Sequence, residues 1–130
     1  MKSLIVFLPV TAVLSIFALT ALPSEAAGPV SSQGASVFAA CRACHTVQAG
    51  GKSVMGPNLN GLFGRKAGSV AGFNYSPALK ASKIVWDAKT LDQYLAAPTQ
   101  RVPGTRMVIK VADPVKRAAL IAYLKAETSK

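Results

Sequence analysis

An all-α domain is expected from this sequence for three reasons. Apolar residues recur at helical spacing in three separate stretches, helix-starting residues stand ahead of two of them, and no stretch alternates as a strand would. The first helix is expected over about residues 31–43, with Gly34 and Phe38 four apart on one face. A short second helix is expected in Ser76-Pro77-Ala78-Leu79, where Ser76 can cap and Pro77, having no N–H to leave unpaired, suits the first position. For the third helix, Thr90 and Gln93 form a candidate capping box beside an apolar side built from Leu91, Tyr94 and Leu95, and Pro98 ends it. Asp113 and Pro114 open the last helix, whose apolar stripe is Leu120, Tyr123 and Leu124.

The chain has 130 residues, room for one domain, and its beginning reads as a leader. Lys2 supplies a positive start and Ser3 to Leu22 carries no charge. Ser24 and Ala26 stand three and one positions before a cut between Ala26 and Ala27, the small-residue pattern of a secretory signal peptide. About twenty uncharged residues could instead stay as a membrane anchor, but Pro9 and the Ser-Glu-Ala site favour cleavage. The expected organisation is a cleaved signal peptide at 1–26 and one domain at 27–130, exported to the periplasm, without stable membrane insertion.

Loss of residues 1–26 removes Lys2 and Glu25, one charge of each sign, so the mature chain keeps the net charge of +10. Such a field attracts acidic surfaces and speeds encounters with them. Nucleic acid is a poor candidate partner, because the basic residues are scattered singly and an exported protein rarely meets it. A chain of this size buries only about two-thirds of its unfolded surface, and this one is rich in Ala, Gly and Pro rather than large apolar side chains. Its core calls for an additional component.

Both cysteines and the single histidine lie in Cys41-Arg42-Ala43-Cys44-His45. A thioredoxin-type pair needs a βαβ context that is absent from the pattern. A structural zinc ion needs four protein ligands, and three in one pentapeptide cannot surround it. A Cys41–Cys44 disulfide would enclose too short a loop to stabilise much and would leave His45 unexplained. Covalent haem attachment uses all three: two thiols add to the two porphyrin vinyl groups, and the next residue, His45, reaches the iron as an axial ligand. The haem also supplies the missing core, and export supplies the compartment for its attachment.

Whether the sixth iron position is closed decides between a carrier and an enzyme or gas binder. Methionine is the available closing ligand, and the mature chain has Met55 and Met107. Met55 lies ten residues after His45 in a glycine-rich loop and reaches the opposite ring face only with difficulty. Met107 follows a Pro-Gly-Thr turn beyond the third helix, has ample chain to cross, and is favoured.

Taken together, "CRACHTVQAGGK", "GPNLNGLFGRKAG", "GFNYSPAL", Trp86, "LDQYLAAP", "VPGTRM" and "LIAYLK" follow one another as in class I cytochrome c. The chain resembles the soluble bacterial relatives of the mitochondrial carrier from about Gly34 to Ala126. The resemblance implies the class I cytochrome c fold, with N- and C-terminal helices crossing around a covalently bound haem and Gly34 permitting close approach near Tyr123. It implies one haem c per chain, thioether anchors at Cys41 and Cys44, and iron ligands His45 and Met107. It further implies that the Pro57 carbonyl accepts the other ring proton of His45, that Arg65, Tyr75 and Trp86 hold the haem propionates, and that Tyr94 and Thr105 hydrogen-bond near Met107.

The implied function is one-electron transport by a monomer, not enzymatic catalysis. Partners would be acidic surfaces of membrane redox complexes (a quinol-oxidising complex, terminal oxidase or photosynthetic reaction centre) or a periplasmic dehydrogenase. The alternative is a haem peroxidase or gas binder with a labile methionine, for which the sequence offers no distal acid or base. The mitochondrial relatives carry lysines where this chain has Ala40, Val54 and Thr99, and an aromatic residue where it has Ile109. The charged rim is therefore thinner, with Lys52, Arg101, Arg106 and Lys110 as the candidate replacements.

Overall fold

The computed structural model describes residues 29–129. The expected leader, with its cut before Ala27, lies outside the described residues. No helix among the described residues is long and apolar enough to cross a membrane. In chain order these residues form α1 Pro29–Phe38, α2 Pro77–Ala81, α3 Ala88–Ala96, α4 Pro98–Arg101 and α5 Pro114–Thr128. The one strand-like pairing among them is an isolated antiparallel bridge between Lys66 and Val85, so the domain is all-α.

Helix α1 stops at Phe38, five residues short of the expected end. The reason is a change of hydrogen-bond register: the Cys41 and Arg42 N–H groups both turn onto the Phe38 carbonyl, and those of Cys44 and His45 both onto the Cys41 carbonyl. Two tight turns therefore carry the cysteines and His45, which stand on a folded loop rather than around a helix.

Two helix starts match expectation. Ser76 Oγ accepts from Leu79 N–H at 3.2 Å ahead of α2, and Asp113 accepts from the N–H groups of Val115 and Lys116 ahead of α5. The third does not. Helix α3 begins at Ala88 with Asp87 as its cap: Asp87 Oδ1 accepts from Thr90 N–H at 2.7 Å, while Thr90 Oγ1 accepts from Asp87 N–H at 2.9 Å. Thr90 is thus the inner member of the box instead of its cap, because the carboxylate one turn earlier is already in place to accept. Pro98 follows the end of α3 and also opens α4, since proline is suited to a first helical position.

Helices α1 and α5 pack directly on each other. A Cβ on Gly34 would lie 2.5 Å from Tyr123 Cβ and even closer to the Ala119 carbonyl oxygen, so only glycine lets the backbones approach this far. The Phe38 and Tyr123 rings meet beside it with centroids 5.4 Å apart. Phe38, Leu91, Leu95, Leu120 and Leu124 continue one buried cluster from α1 through α3 to α5, the residues that the helical stripes had marked.

The connections set the remaining walls. Trp86 N–H donates to Arg65 O at 2.9 Å and Gly64 N–H to Trp86 O at 2.7 Å, which locks two distant segments together. In Val102-Pro103-Gly104-Thr105, the Thr105 N–H closes onto Val102 O at 3.0 Å, with Gly104 at φ +89°. Proline followed by a positive-φ glycine is the pattern of a type II turn, and this turn delivers Thr105 and Met107.

Candidate haem site

These elements surround an apolar cavity of about 530 Å³. Cys41, Cys44, His45, Pro57, Arg65, Tyr75, Trp86, Tyr94, Thr105 and Met107 all line it. They are spread along the chain from residue 41 to residue 107, so the fold has gathered every residue that the sequence singled out for the cofactor. The two thiols are not joined to each other. Burial pushes the Cys41 thiol above its ordinary value, and the neighbouring Cys44 adds to the effect.

His45 Nδ1 lies 2.8 Å from the Pro57 carbonyl oxygen. A carbonyl can only accept, so Nδ1 carries the proton and donates it, leaving the Nε2 lone pair free. Burial lowers the His45 pKa, opposed by the Pro57 hydrogen bond, so the ring is held neutral as a metal ligand must be. Gly56 packs flat against the imidazole: a Cβ there would come within 2.8 Å of Nε2 and nearer still to other ring atoms.

Across the rest of the wall, Tyr94 and Thr105 hydroxyls meet at 2.7 Å in a buried contact, and Trp86 packs on Tyr94 with centroids 5.1 Å apart. Arg65 donates to Asn60 O at 2.7 Å and Asn58 O at 3.1 Å, so its guanidinium is braced by the loop that carries Pro57. Burial pushes Arg65 down, with Tyr75 acting against the shift, and burial pushes Tyr75 up. Both methionines line the cavity, but differently. Met107 packs against the buried cluster, whereas Met55 is 73% exposed and sits two residues from the carbonyl that holds His45.

The donor set fits a covalently held haem: two unpaired thiols, a neutral imidazole with one free nitrogen and a thioether, set around an apolar interior. A family model described as Cytochrome c matches residues 31–127. The chain belongs to the cytochrome c family. It is 44% identical over 108 residues to cytochrome c of Guizotia abyssinica, covering 82% of this chain and 97% of that protein. It is 41% identical over 114 residues to cytochrome c2 of Blastochloris viridis, covering 87% and 90%. Among solved structures, cytochrome cH from Methylobacterium extorquens aligns with a TM-score of 0.68 at 44% identity, covering 74% of this chain and 97% of that one. As a class I cytochrome c the protein carries covalently bound haem c, and its family is one of electron carriers.

Several residues of this cytochrome c site have no counterpart among those that the sequence marked. Gly56, Ser53 and Asn58 shape the His45 side, and Asn74 accepts from Arg106 at 2.9 Å beside Met107. The available signal for Gly56 and Asn58 was the Gly56-Pro57-Asn58 run itself, which was marked as part of a family motif with a role given to Pro57 alone.

Proposed function

We propose that the protein is a soluble periplasmic one-electron carrier whose haem is anchored through Cys41 and Cys44 and closed on both sides by His45 and Met107. The observation that carries this reading is the His45–Pro57 hydrogen bond, which frees Nε2 inside a cavity also lined by the half-buried Met107. Met55 is the weaker candidate because it is exposed and tethered close to His45's own acceptor. The haem supplies the one-electron ferric/ferrous couple. Around it, the apolar wall excludes water and disfavours added positive charge, which favours the reduced form. Arg65, Tyr75 and Trp86 are the groups proposed to hold the propionates, and the Tyr94–Thr105 pair steadies the turn that carries Met107.

The proposed partners are acidic surfaces of membrane redox complexes, such as a quinol-oxidising complex, a terminal oxidase or a photosynthetic reaction centre, or those of a periplasmic dehydrogenase. The net charge of +10 supports this, as does the absence of any Asp or Glu from residue 28 to 86. Exposed Met55, Val108 and Ile109 line the cavity and give its mouth an apolar rim with Arg106 beside it. Contact there would be small and brief, as a carrier requires.

Visible spectra of the purified protein, oxidised, reduced and reduced under carbon monoxide, test the coordination. Sharp low-spin bands unmoved by the gas are expected. A shift on adding it would favour an open sixth position and a gas-binding or peroxidase role. Met107→Ala should convert the first behaviour into the second and lower the reduction potential; a variant still indifferent to the gas would remove Met107 from the ligand set.

A further inference from the structure

The carbonyl that holds His45 is itself held. The Pro57 oxygen belongs to the same planar peptide unit as the Asn58 N–H, and that N–H donates to Ser53 Oγ at 3.0 Å. Rotating the unit would break one bond or the other. An N–H that is hydrogen-bonded also polarises its peptide and strengthens the carbonyl as an acceptor.

The Asn58 side chain secures the same unit. Its Nδ2 donates to Thr46 Oγ1 at 2.7 Å and to Gln48 O at 3.0 Å, and its Oδ1 accepts from Asn60 N–H at 2.9 Å. Its carbonyl accepts from Arg65 at 3.1 Å, so every polar atom of Asn58 is engaged within the protein. Thr46 passes its own hydroxyl proton on to Lys52 O at 2.9 Å. Gly51 closes the ring: a Cβ there would lie 2.7 Å from Asn58 Nδ2 and 2.8 Å from Thr46 Oγ1. Apart from bracing Arg65, this polar organisation of an irregular loop converges on the peptide that carries the Pro57 oxygen.

We propose that Ser53 and Asn58 are positioning residues for His45, fixing the Pro57–Asn58 peptide so that its carbonyl holds the imidazole in one orientation and tautomer. The proposal rests on the reading of His45 as an iron ligand. Acceptors of this kind raise the donor strength of a ligating histidine, so loosening the peptide should weaken the ring as a donor to ferric iron.

The test uses the haem-loaded protein. Solvent exchange of the His45 Nδ1 proton is followed by NMR, and the midpoint potential is measured, in wild type, Ser53→Ala, Thr46→Val and Thr46→Ser. Ser53 is exposed and Thr46→Val preserves shape, so both variants are suited to folding. Exchange should quicken about tenfold in Ser53→Ala and Thr46→Val, the order of effect expected when one hydrogen bond no longer resists local opening. The potential should rise in both, and Thr46→Ser should restore wild-type behaviour. Unchanged exchange and potential in Ser53→Ala and Thr46→Val, with only a lowered melting temperature, would make the ring a plain stabiliser and overturn the positioning role. A wild-type protein with no iron-shifted His45 ring proton would overturn the ligand reading itself, and this proposal with it.

Discussion

Tyr94 and Thr105 share a buried hydrogen bond at the wall of the cavity. Tyr94→Phe removes one hydroxyl and strands the other, at a cost of about 1–3 kcal/mol, the usual range for a buried polar group left unpaired. Burial raises the Tyr94 pKa above its ordinary value, the Thr105 hydrogen bond opposing it. A folded pKa raised in this way contributes stability that is complete below the unfolded value, about 10, and is lost as pH rises through the folded one. Thermal melts should therefore show wild type losing its advantage over Tyr94→Phe in strongly alkaline buffer; a constant difference across that range would contradict the assignment. Thr128 presents the opposite case. Its hydroxyl is buried without a partner among the described residues, although its carbonyl accepts from Gly61 N–H at 2.7 Å. Thr128→Val keeps the shape and removes the orphan, so denaturant unfolding should find the variant more stable by about 1 kcal/mol.

Between elements, the α1–α5 crossing rests on a missing side chain. Gly34→Ala would drive a methyl group into the Ala119 carbonyl and Tyr123 Cβ, both on or next to the α5 backbone, which cannot turn aside as a flexible side chain could. Overpacking of this kind costs about 3 kcal/mol, and the helices would have to separate where Phe38 and Tyr123 meet. A drop in melting temperature of about 10–20 °C is expected for a domain of this size; a melt within a few degrees of wild type would mean that the crossing adjusts freely. The helix starts give a further lesson at this level. Ser76-Pro77 and Asp113-Pro114 were readable because cap and first residue are adjacent in the chain. The start of α3 was misplaced by one turn because Thr90 is plausible both as a cap and as the partner of one, and the choice depended on the Asp87 carboxylate.

Over the whole molecule, charge is distributed unevenly. Asp87 and Asp113 are occupied as helix caps and Asp92 pairs with Arg117 at 2.6 Å, so the acidic groups are concentrated on α3, α5 and their approaches. Residues 28–86, which carry Cys41, Cys44 and His45, contribute only positive side chains. For an acidic partner this predicts a bimolecular electron-transfer rate that falls roughly tenfold or more from low salt to physiological ionic strength, as steering is screened. Stopped-flow mixing with such a partner over a salt series is the measurement, and a flat profile would place docking on the apolar rim of Met55, Val108 and Ile109 instead.

The cofactor chemistry, the family and the starts of α2 and α5 were legible in the sequence, because those depend on residues close together in the chain. Cys41, Cys44 and His45 need only their spacing, and a cap needs only the turn that it starts. The cap of α3 was local too, and was missed only because Thr90 fits both places in a capping box; what waited for the folded chain was how His45 is held and how closely α1 and α5 approach. The ring of Thr46, Ser53, Asn58 and Gly51 joins residues of an irregular loop through hydrogen bonds that have no period, and the closeness of Gly34 to Tyr123 exists only once α1 and α5 cross. Such contacts leave no pattern in the sequence because the chain must fold before the groups that make them become neighbours.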